Sequence, residues 1–321
     1  MKELRKILVR VDVEAAAQPA FERATELAKR NGAALTVVDV VEEFPAYARL
    51  LLPRDLQRHL AAFKTERVAA IGARAREQGV KVVTKVLSGR STTEIVREVL
   101  RNGHDLVLKD VEAGTGAGAS RGLGDMQLLR KCPCPVWLLR PSHGKHFDRV
   151  LAAVDPEPED GERNALCEKI LRFAIDMSGS EWAELHILRA WSAYGASVLR
   201  NKMTPDEFRR YVEGARTNAT RSLQDLLTRF SPAIDPGHVH VEEGEPHEVI
   251  TKFVQAHQVD VVVLGTVART GLPGLIIGNT AEQVLSQITC SVLALKPDGF
   301  VSPITLDPAL EAARGAESEW T

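Results

Sequence analysis

The chain alternates short apolar segments with longer segments in which apolar residues recur every three or four positions. Residues 6–12 and 34–41 are aliphatic and β-branched runs of strand length, whereas residues 19–32 place Phe21 and Leu27 on one face of a helix. Apolar strands that alternate with amphipathic helices predict a parallel sheet covered by helices on both faces. The pattern therefore predicts an α/β protein.

The same pattern occurs twice along the chain. The segment KILVRVDVE at 6–14 resembles RVLAAVDPE at 149–157, and QLLRKCPCPVWLLRP at 127–141 resembles QVLSQITCSVLALKP at 283–297. Because the matches keep their order, we predict two tandem doubly wound domains, each a five-stranded parallel sheet with helices on both faces. The expected limits are 1–142 for the first domain, 148–298 for the second and 299–321 for a loose C-terminal tail.

Capping motifs predict where three of the helices begin. Ser91, Thr204 and Asn279 are each followed three positions later by a glutamate. This is the capping-box spacing, in which the first side chain accepts from an N–H group of the first turn and the glutamate reaches back to the cap. We therefore expect helices to start at these three residues.

The segment from Val259 to Pro297 contains the clearest candidate for a ligand site. A buried strand at 259–264 is followed by a loop with four glycines and then by a helix; these glycines are Gly265, Gly271, Gly274 and Gly278. Glycines allow the backbone to approach a ligand closely, and a helix N-terminus offers unpaired N–H groups and a positive dipole end. The loop therefore suggests a phosphate site, with a long surface loop as the alternative.

The expected position of the ligand follows from the predicted sheet. Ligands of doubly wound sheets bind outside the carboxyl ends of the strands, where the strand order reverses. In the second repeat that edge gathers Asp155, Ala190 and Gly265. Asp155 could accept a bond from a ribose hydroxyl or an adenine amine, or help to hold a phosphate-bound metal. The alternative is a turn residue before Pro156.

These features together resemble the universal stress protein family, in its tandem E-type form from proteobacteria. The resemblance rests on the repeat, on the aspartate after the first strand of the second copy, and on the segment GTVARTGLPGLIIGNTAEQVL. This segment contains the loop that corresponds to the family motif G-x-x-G-x9-G-[ST]. It covers about residues 4–305. It implies a fold that binds ATP or AMP, dimer-like packing of two domains, either between chains or as a pseudo-dimer within one chain, and a role in stress tolerance.

The resemblance also implies roles for individual residues. Asp155 falls on the aspartate after the first strand, and Ala190 and Leu264 fall on positions that line the nucleobase. Gly265 and Gly278 match the first and last glycines of the motif, and Val267 is a loop contact. Asn279 takes the [ST] position and Thr280 follows it, where the family holds the ribose and phosphates. Ala268 replaces the second glycine, which costs about 1 kcal/mol if φ there is positive. Asn279 replaces Ser or Thr but caps a helix equally well. Arg269 could pair with a phosphate or remain solvated.

The first repeat differs at the matching positions. Asp110 stands opposite Gly265, Glu112 follows it, and Asp125 is expected at the position of the motif serine. Carboxylates near the phosphate position repel an anionic ligand. We therefore predict that the first domain does not bind ATP and has a structural role or another ligand.

The sequence favours a binding protein over an enzyme. No lysine follows the glycine loop as in a Walker motif, and no nucleophile stands beside a base. We expect ATP as the ligand, with or without Mg²⁺, and any hydrolysis to be slow, with Asp155 and the metal as the only helpers. A scaffold whose nucleotide pocket is a relic is the second hypothesis.

A zinc site is the third hypothesis. His238 and His240 would lie on the same face of a strand, and His186, His247 and His257 also belong to the second repeat. Two histidines at this spacing need a third ligand to hold zinc. The sequence does not identify it.

Composition narrows the environment. The formal net charge is −2, with 44% hydrophobic and 26% charged residues, which predicts a soluble protein without the basic field that attracts nucleic acid or anionic membranes. The N-terminal segment enters a strand directly, so we expect a cytoplasmic location. Among the four cysteines, Cys132 and Cys134 stand at a helix-to-strand turn and are interpreted as structural.

Overall fold

Strands and helices alternate in both repeats of the computed structural model, which describes residues 4–44, 48, 55–112, 122–140, 146–230, 234–266 and 278–306. The first repeat contributes β1 (Lys6–Arg10), α1 (Pro19–Asn31), β2 (Ala34–Val41), α2 (Leu56–Arg76), β3 (Lys81–Ser88), α3 (Ser91–Asn102), β4 (Leu106–Asp110), α4 (Leu123–Lys131) and β5 (Val136–Leu139). The second contributes β6 (Arg149–Ala153), α5 (Gly161–Glu181), β7 (Glu184–Trp191), α6 (Ala196–Leu199), α7 (Pro205–Leu227), a 3-10 turn (Pro236–His238), β8 (Val239–Glu243), α8 (Pro246–Ala256), β9 (Val261–Gly265), α9 (Asn279–Gln287) and β10 (Ser291–Leu295). The predicted α/β class is therefore confirmed.

The strands form one continuous sheet through both repeats. Its order is β3-β2-β1-β4-β5-β10-β9-β6-β7-β8. Neighbouring strands are parallel within each repeat. The two repeats meet at β5 and β10, which pair antiparallel with Trp137 opposite Leu293. The two halves therefore pack edge to edge within one chain, as a pseudo-dimer would.

Helices cover both faces of this sheet, and each face has its own core. One core packs α1, α2, α5 and α7 against the sheet, and the other packs α3, α4, α8 and α9. Each core draws side chains from both repeats, such as Phe21 and Leu171 on the first face and Leu128 and Leu285 on the second. Full burial of one such side chain stabilises the fold by about 1.5–3 kcal/mol, so each core contributes to the stability of both repeats.

All three helices begin at or directly after the predicted residues, but the predicted residue is the cap in one case out of three. Thr204 caps α7, and its capping box with Glu207 is complete. However, Gly278 is the cap of α9, so the prediction of Asn279 as its cap was wrong by one residue. Glu282 pairs across the sheet junction with Arg130 and does not close the predicted box. For α3 the cap is Arg90 and not Ser91.

Two buried polar contacts tie the repeats together. The Arg23 side chain of α1 is 6% exposed and pairs with Glu181 of α5, which is 4% exposed. The guanidinium lies 4.6 Å from the ring centroid of Phe147, a cation–π distance. On the other face, Lys296 Nζ donates to Leu129 O over 2.6 Å. Because both ends of each contact are buried, they add specificity to the apolar junction.

The positions of Cys132 and Cys134 agree with the structural role predicted for these cysteines. Cys132 and Cys134 lie at the turn between α4 and β5, with 3.5 Å between their sulfur atoms. A hydrogen bond with Cys132 and burial raise the pKa of the Cys134 thiol well above its usual value, which favours the protonated, less reactive form. No helix among the described residues combines the length and apolar character required to cross a bilayer.

Candidate functional site

The strand order of the second repeat reverses between β6 and β9. Strand β6 is flanked by β7 on one side and β9 on the other, with Ala152 opposite Val263. Asp155 follows β6, and Gly265 is the last residue of β9. The two residues that the sequence singles out therefore lie at the sheet edge where a doubly wound fold binds ligands.

Gly265 is required for packing against a helix. A Cβ atom at this position would lie 2.8 Å from Leu166 Cδ2 and 3.7 Å from Ile170 Cδ1, both on α5. The first distance is shorter than normal van der Waals contact. The structure thus gives a packing reason for this glycine, and the approach of a ligand to its backbone stays a prediction.

The two ends of the glycine loop are joined. Gly278 N donates to Thr266 O over 3.2 Å, so α9 begins beside the end of β9. Thr266 is fully buried, and its hydroxyl accepts from Lys296 Nζ over 2.7 Å. The sequence interpretation missed Thr266 and Lys296, although a lysine directly after a buried strand is an available signal. The predicted loop residues Val267, Ala268 and Arg269 lie outside the described residues.

The N-terminus of α9 is the feature of this edge best suited to an anion. Its cap, Gly278, has no side chain to accept from the first-turn N–H groups. Asn279 is the first helical residue, and Thr280 follows it with an exposed side chain. Uncapped N–H groups together with the helix dipole favour a negative charge by about 0.3–1 kcal/mol at an exposed site.

Asp155 is bound by two arginines. Arg163 of α5 pairs with one carboxylate oxygen, and Arg189 Nη2 lies 3.8 Å from the other. Arg189 is buried in β7 and donates to Ala219 O over 2.6 Å. The sequence interpretation missed both arginines. An arginine inside the apolar run ILRAW of β7 was the available signal, because buried arginines need a partner.

The other predicted base contacts differ in exposure. The Leu264 side chain is 4% exposed and belongs to the core beneath α8 and α9. Ala190 in β7 is partly buried against the same core. A ligand at this edge would therefore meet the backbone of Leu264 and not its side chain, whereas Ala190 is partly open.

The first repeat has the same helix start, with different residues around it. Gly122 caps the nine-residue helix α4 as Gly278 caps the nine-residue helix α9. Leu123 therefore corresponds to Asn279, and the prediction that Asp125 takes the serine position was wrong by two residues. The error arose because Gly122 and Gly124 offer two registers for the motif, which only the helix start distinguishes.

Carboxylates fill the space around this helix start in the first repeat. A side chain at Gly122 would collide with the Glu112 carboxylate, and a Cβ at Gly124 would lie 2.9 Å from Glu112 Oε1. Lys109, which is 3% exposed, pairs with Glu112 and with the fully buried Asp125. Burial raises the pKa of Asp125, and Lys109 opposes that shift. Glu112 therefore occupies the space beside the start of α4.

Asp110, the counterpart of Gly265, also has a partner inside the protein. Its Oδ1 atom accepts from Ala20 N in the first turn of α1 over 2.9 Å. Burial raises its pKa from 3.8 to about 6, against the opposing effects of the Ala20 N–H group and Arg10. Both acidic residues that the sequence places near the first loop therefore serve the fold of the first repeat.

The histidines of the second repeat do not form a metal site in the described part of the chain, where no group of three or more His, Cys, Asp or Glu residues is arranged to hold an ion. His238 lies in the 3-10 turn before β8 and not in the strand. The prediction that it alternates with His240 along one strand was therefore wrong. The ring centroids of His186 and His238 are nevertheless 4.7 Å apart.

Comparison with known proteins identifies the fold. The model of the universal stress protein family matches residues 3–140 and 146–296. Universal stress protein E of Salmonella typhi is 32% identical over 316 residues, which cover 96% of this chain and 99% of that protein. Universal stress protein E of Escherichia coli K12 is 31% identical over the same length, with 96% and 98% covered.

A solved structure agrees with these relatives. The crystal structure of a functionally unknown protein, PA1789 from Pseudomonas aeruginosa PAO1, is 28% identical and has a TM-score of 0.68, covering 92% of this chain and 94% of that one. The agreement extends over both repeats. This chain therefore belongs to the universal stress protein family, in its tandem E-type form, and has a role in the stress response.

Proposed function

We propose that the second repeat binds an adenine nucleotide, ATP with or without Mg²⁺, at the carboxyl ends of β6 and β9, and that the first repeat has a structural role or takes another ligand. The observation that carries this proposal is the contrast between the two equivalent helix starts. Glu112 fills the space at α4, whereas its counterpart by repeat alignment at α9 is the uncharged Val267.

Charge at this edge supports an anionic ligand in the second repeat. The N–H groups at the start of α9 favour phosphate. Arg163 has Asp155 and Glu157 as partners and lies on the same sheet edge, so it can turn towards a phosphate group when a ribose hydroxyl takes its place at Asp155. The proposed site residues are Asp155, Ala190, Leu264, Gly265, Val267, Ala268, Arg269, Gly278, Asn279 and Thr280.

In this proposal the protein binds the nucleotide and hydrolyses it slowly, if at all. Asp155 is the predicted helper of any bound Mg²⁺, but its carboxylate is shared between Arg163 and Arg189. Two guanidinium groups compete with a metal ion for the oxygens of this carboxylate. The nucleotide would therefore act as a bound signal, in keeping with the cytoplasmic location predicted from the sequence.

A scaffold function is the second candidate, and two contacts favour it. Asp155 already has arginine partners, and Leu166 covers Gly265 on the side where a Cβ atom would project. In that case the continuous ten-stranded sheet would present partner surfaces, and the second loop would be a relic.

Calorimetric titration of the full chain with ATP separates the two candidates. We expect saturable binding that the Val267→Glu variant, which copies Glu112 of the first repeat, weakens by about tenfold or more, equivalent to about 1.4 kcal/mol. Val267→Gln is the matched control, since it adds nearly the same volume without a charge, and it should keep most of the affinity.

Three results would count against nucleotide binding at this position. They are the absence of heat with the unaltered chain, equal weakening by Gln and Glu, and unchanged affinity in the Glu variant. Thermal unfolding followed by circular dichroism verifies that both variants remain folded. The first of these results would favour the scaffold.

A further inference from the structure

Four histidines of the second repeat gather beside the outermost strand of the sheet. They are His186 of β7, His238 of the 3-10 turn, His240 of β8 and His257 at the end of α8, and they are called the histidine cluster below. The ring centroid of His186 lies 4.7 Å from that of His238 and 5.4 Å from those of His240 and His257. The cluster therefore has His186 at its centre.

The central histidine is enclosed and incompletely bonded. His186 is 5% exposed, and its Nδ1 atom lies 3.2 Å from Nε2 of His240. One of these two nitrogen atoms donates the proton of that hydrogen bond, so the other must be unprotonated. The Nε2 atom of His186 is buried without a hydrogen-bond partner. A proton added to His186 therefore either breaks this bond or enters a buried position.

The surrounding groups provide little negative charge for added protons. Glu184 is the nearest carboxylate, with Oε2 3.7 Å from His186 Nε2 and Oε1 3.9 Å from His238 Nε2. It already pairs with Arg149 over 3.3 Å, and Arg149 also donates to the backbone oxygen of His257.

The remaining groups around the cluster are an apolar ring and one exposed acid. Phe253 of α8 stacks on His257 at 4.1 Å and lies 4.7 Å from His240. Glu242 of β8 is exposed and attracts a proton to His240, raising its pKa. Burial lowers the pKa of both His186 and His240, and the neighbouring histidines lower it further. Both effects favour the neutral form of His186 and His240.

The cluster lies where the edge strand meets its neighbours. Strand β8 pairs with β7 and ends the strand order, and the ring of His240 joins it to Phe253 of α8 and to His257 at the end of that helix. The first repeat joins the equivalent elements differently. Lys85 of β3, in the register position of His240, donates to Glu98 of α3 over 2.7 Å. An ion pair in one repeat thus corresponds to an imidazole contact in the other.

We propose that the histidine cluster is a proton-sensitive contact that releases β8 and the C-terminal end of α8 when the pH falls below about 6.5, the ordinary pKa of histidine. Release would expose the edge of β7, where unpaired backbone groups can accept another strand. This property belongs to the second repeat and is independent of nucleotide binding.

The direction of the effect follows from linkage. The docked state has histidine pKa values below those of the released state, so the released state binds more protons. Docking is therefore fully stable above about pH 6.5 and is weakened as the pH falls through the pKa values of the docked state. One unit of lowering for one histidine corresponds to about a tenfold change in the released population.

Hydrogen exchange measured by mass spectrometry tests the proposal on the full chain. The samples are compared at pH 7.5 and pH 5.5 in EDTA, and rates are corrected for the intrinsic effect of pH. We expect the exchange of residues 239–243 and 250–257 to accelerate by about tenfold or more at pH 5.5. Residues 81–88 of β3 are the internal control and should change little.

Amide variants identify the proton acceptors. Glutamine at position 240 can still bond to His186 but cannot be protonated, so the pair His238→Gln and His240→Gln should reduce the acceleration at β8 to less than half. The proposal is overturned if β8 exchanges equally at both pH values. It is also overturned if the double variant, folded at pH 7.5, keeps the full acceleration, or if β3 accelerates as much as β8.

Discussion

The two repeats share one fold but treat the same helix start in opposite ways. In the first repeat, Glu112 covers the start of α4 and is held there by Lys109, which also pairs with Asp125. In the second, the residues aligned with Lys109 and Asp125 are Leu264 and Ala281, both apolar and buried. The comparison teaches that a side-chain carboxylate can occupy the space beside a helix start in one repeat while the fold stays the same in both.

The repeats also differ in the helix that crosses the sheet edge. Helix α5 has 21 residues, whereas α1 has 13. The additional turns of α5 bring Leu166 over Gly265. In the first repeat the shorter helix α1 begins beside Asp110, whose carboxylate accepts from Ala20 N in the first turn. The residue at the end of the fourth strand therefore differs with the first helix of the repeat. It is Asp110 where α1 begins beside it and Gly265 where α5 extends over it.

The largest expected effect comes from removing Lys109. In Lys109→Leu, which copies the second repeat, Asp125 stays fully buried without its cation. We expect the free energy of unfolding to fall by about 3 kcal/mol, within the range for breaking a buried ion pair. Urea denaturation measures it. Lys131→Leu is the control, because Lys131 is only partly buried and bonds to Gln127 of its own helix, and it should change stability by less than about 0.5 kcal/mol.

The double variant Lys109→Leu with Asp125→Ala sharpens this test. It reproduces the apolar pair of the second repeat, and replacing both partners of a buried ion pair is often close to neutral. We expect it to recover most of the stability that the single variant loses. If the double variant is less stable than the single one, the two repeats do not solve the same packing problem.

The second effect concerns Asp110 and depends on pH. Its folded pKa of about 6 lies above its ordinary value of 3.8, so the folded state binds the proton more strongly and the charged form is the destabilising one. Its penalty is absent below about pH 4 and complete above about pH 6. Asp110→Asn keeps an oxygen for Ala20 N and should raise stability at pH 7 by up to about 3 kcal/mol, since one pKa unit corresponds to 1.36 kcal/mol.

Denaturation at pH 7 and at pH 4 distinguishes this explanation from others. The gain from the asparagine should disappear at the lower pH, where the native carboxyl is protonated. Asp105→Asn is the contrasting variant, because Asp105 accepts from the N–H groups of Arg5 and Lys6 in an exposed position and its amide form gives no such gain. A gain of equal size at both pH values would rule out the titration of Asp110.

The sequence predicts the elements well because their signals are local. The run at 34–41 was predicted as a strand and is observed as β2, and Gly32 ends α1 in the left-handed conformation, with φ of 64°, as a C-terminal glycine does. The capping box at Thr204 likewise depends on residues three positions apart. Signals of this kind require no knowledge of the tertiary structure.

The site was less predictable because its contacts join distant segments. Arg189 meets Asp155, and Lys296 meets Leu129, across more than 30 residues in each case. The antiparallel pairing of β5 with β10 is also invisible to periodicity, since both strands are apolar on both faces. The helix start at Gly122 was ambiguous for a different reason, namely that Gly124 offers the same local signal.

The smallest effect tests why Gly265 differs from Asp110. In Gly265→Ala the new methyl group would lie 2.8 Å from Leu166 Cδ2, and the leucine end can move by a change of rotamer. We therefore expect a loss of about 1–2 kcal/mol, at the lower part of the range for overpacking. Gly179→Ala in α5 is the matched control, because no atom lies within 4 Å of its added Cβ, and it should stabilise the protein by about 0.5–1 kcal/mol. If both variants stabilise the protein, Leu166 does not fix glycine at this edge, and the space above Gly265 is open to a ligand.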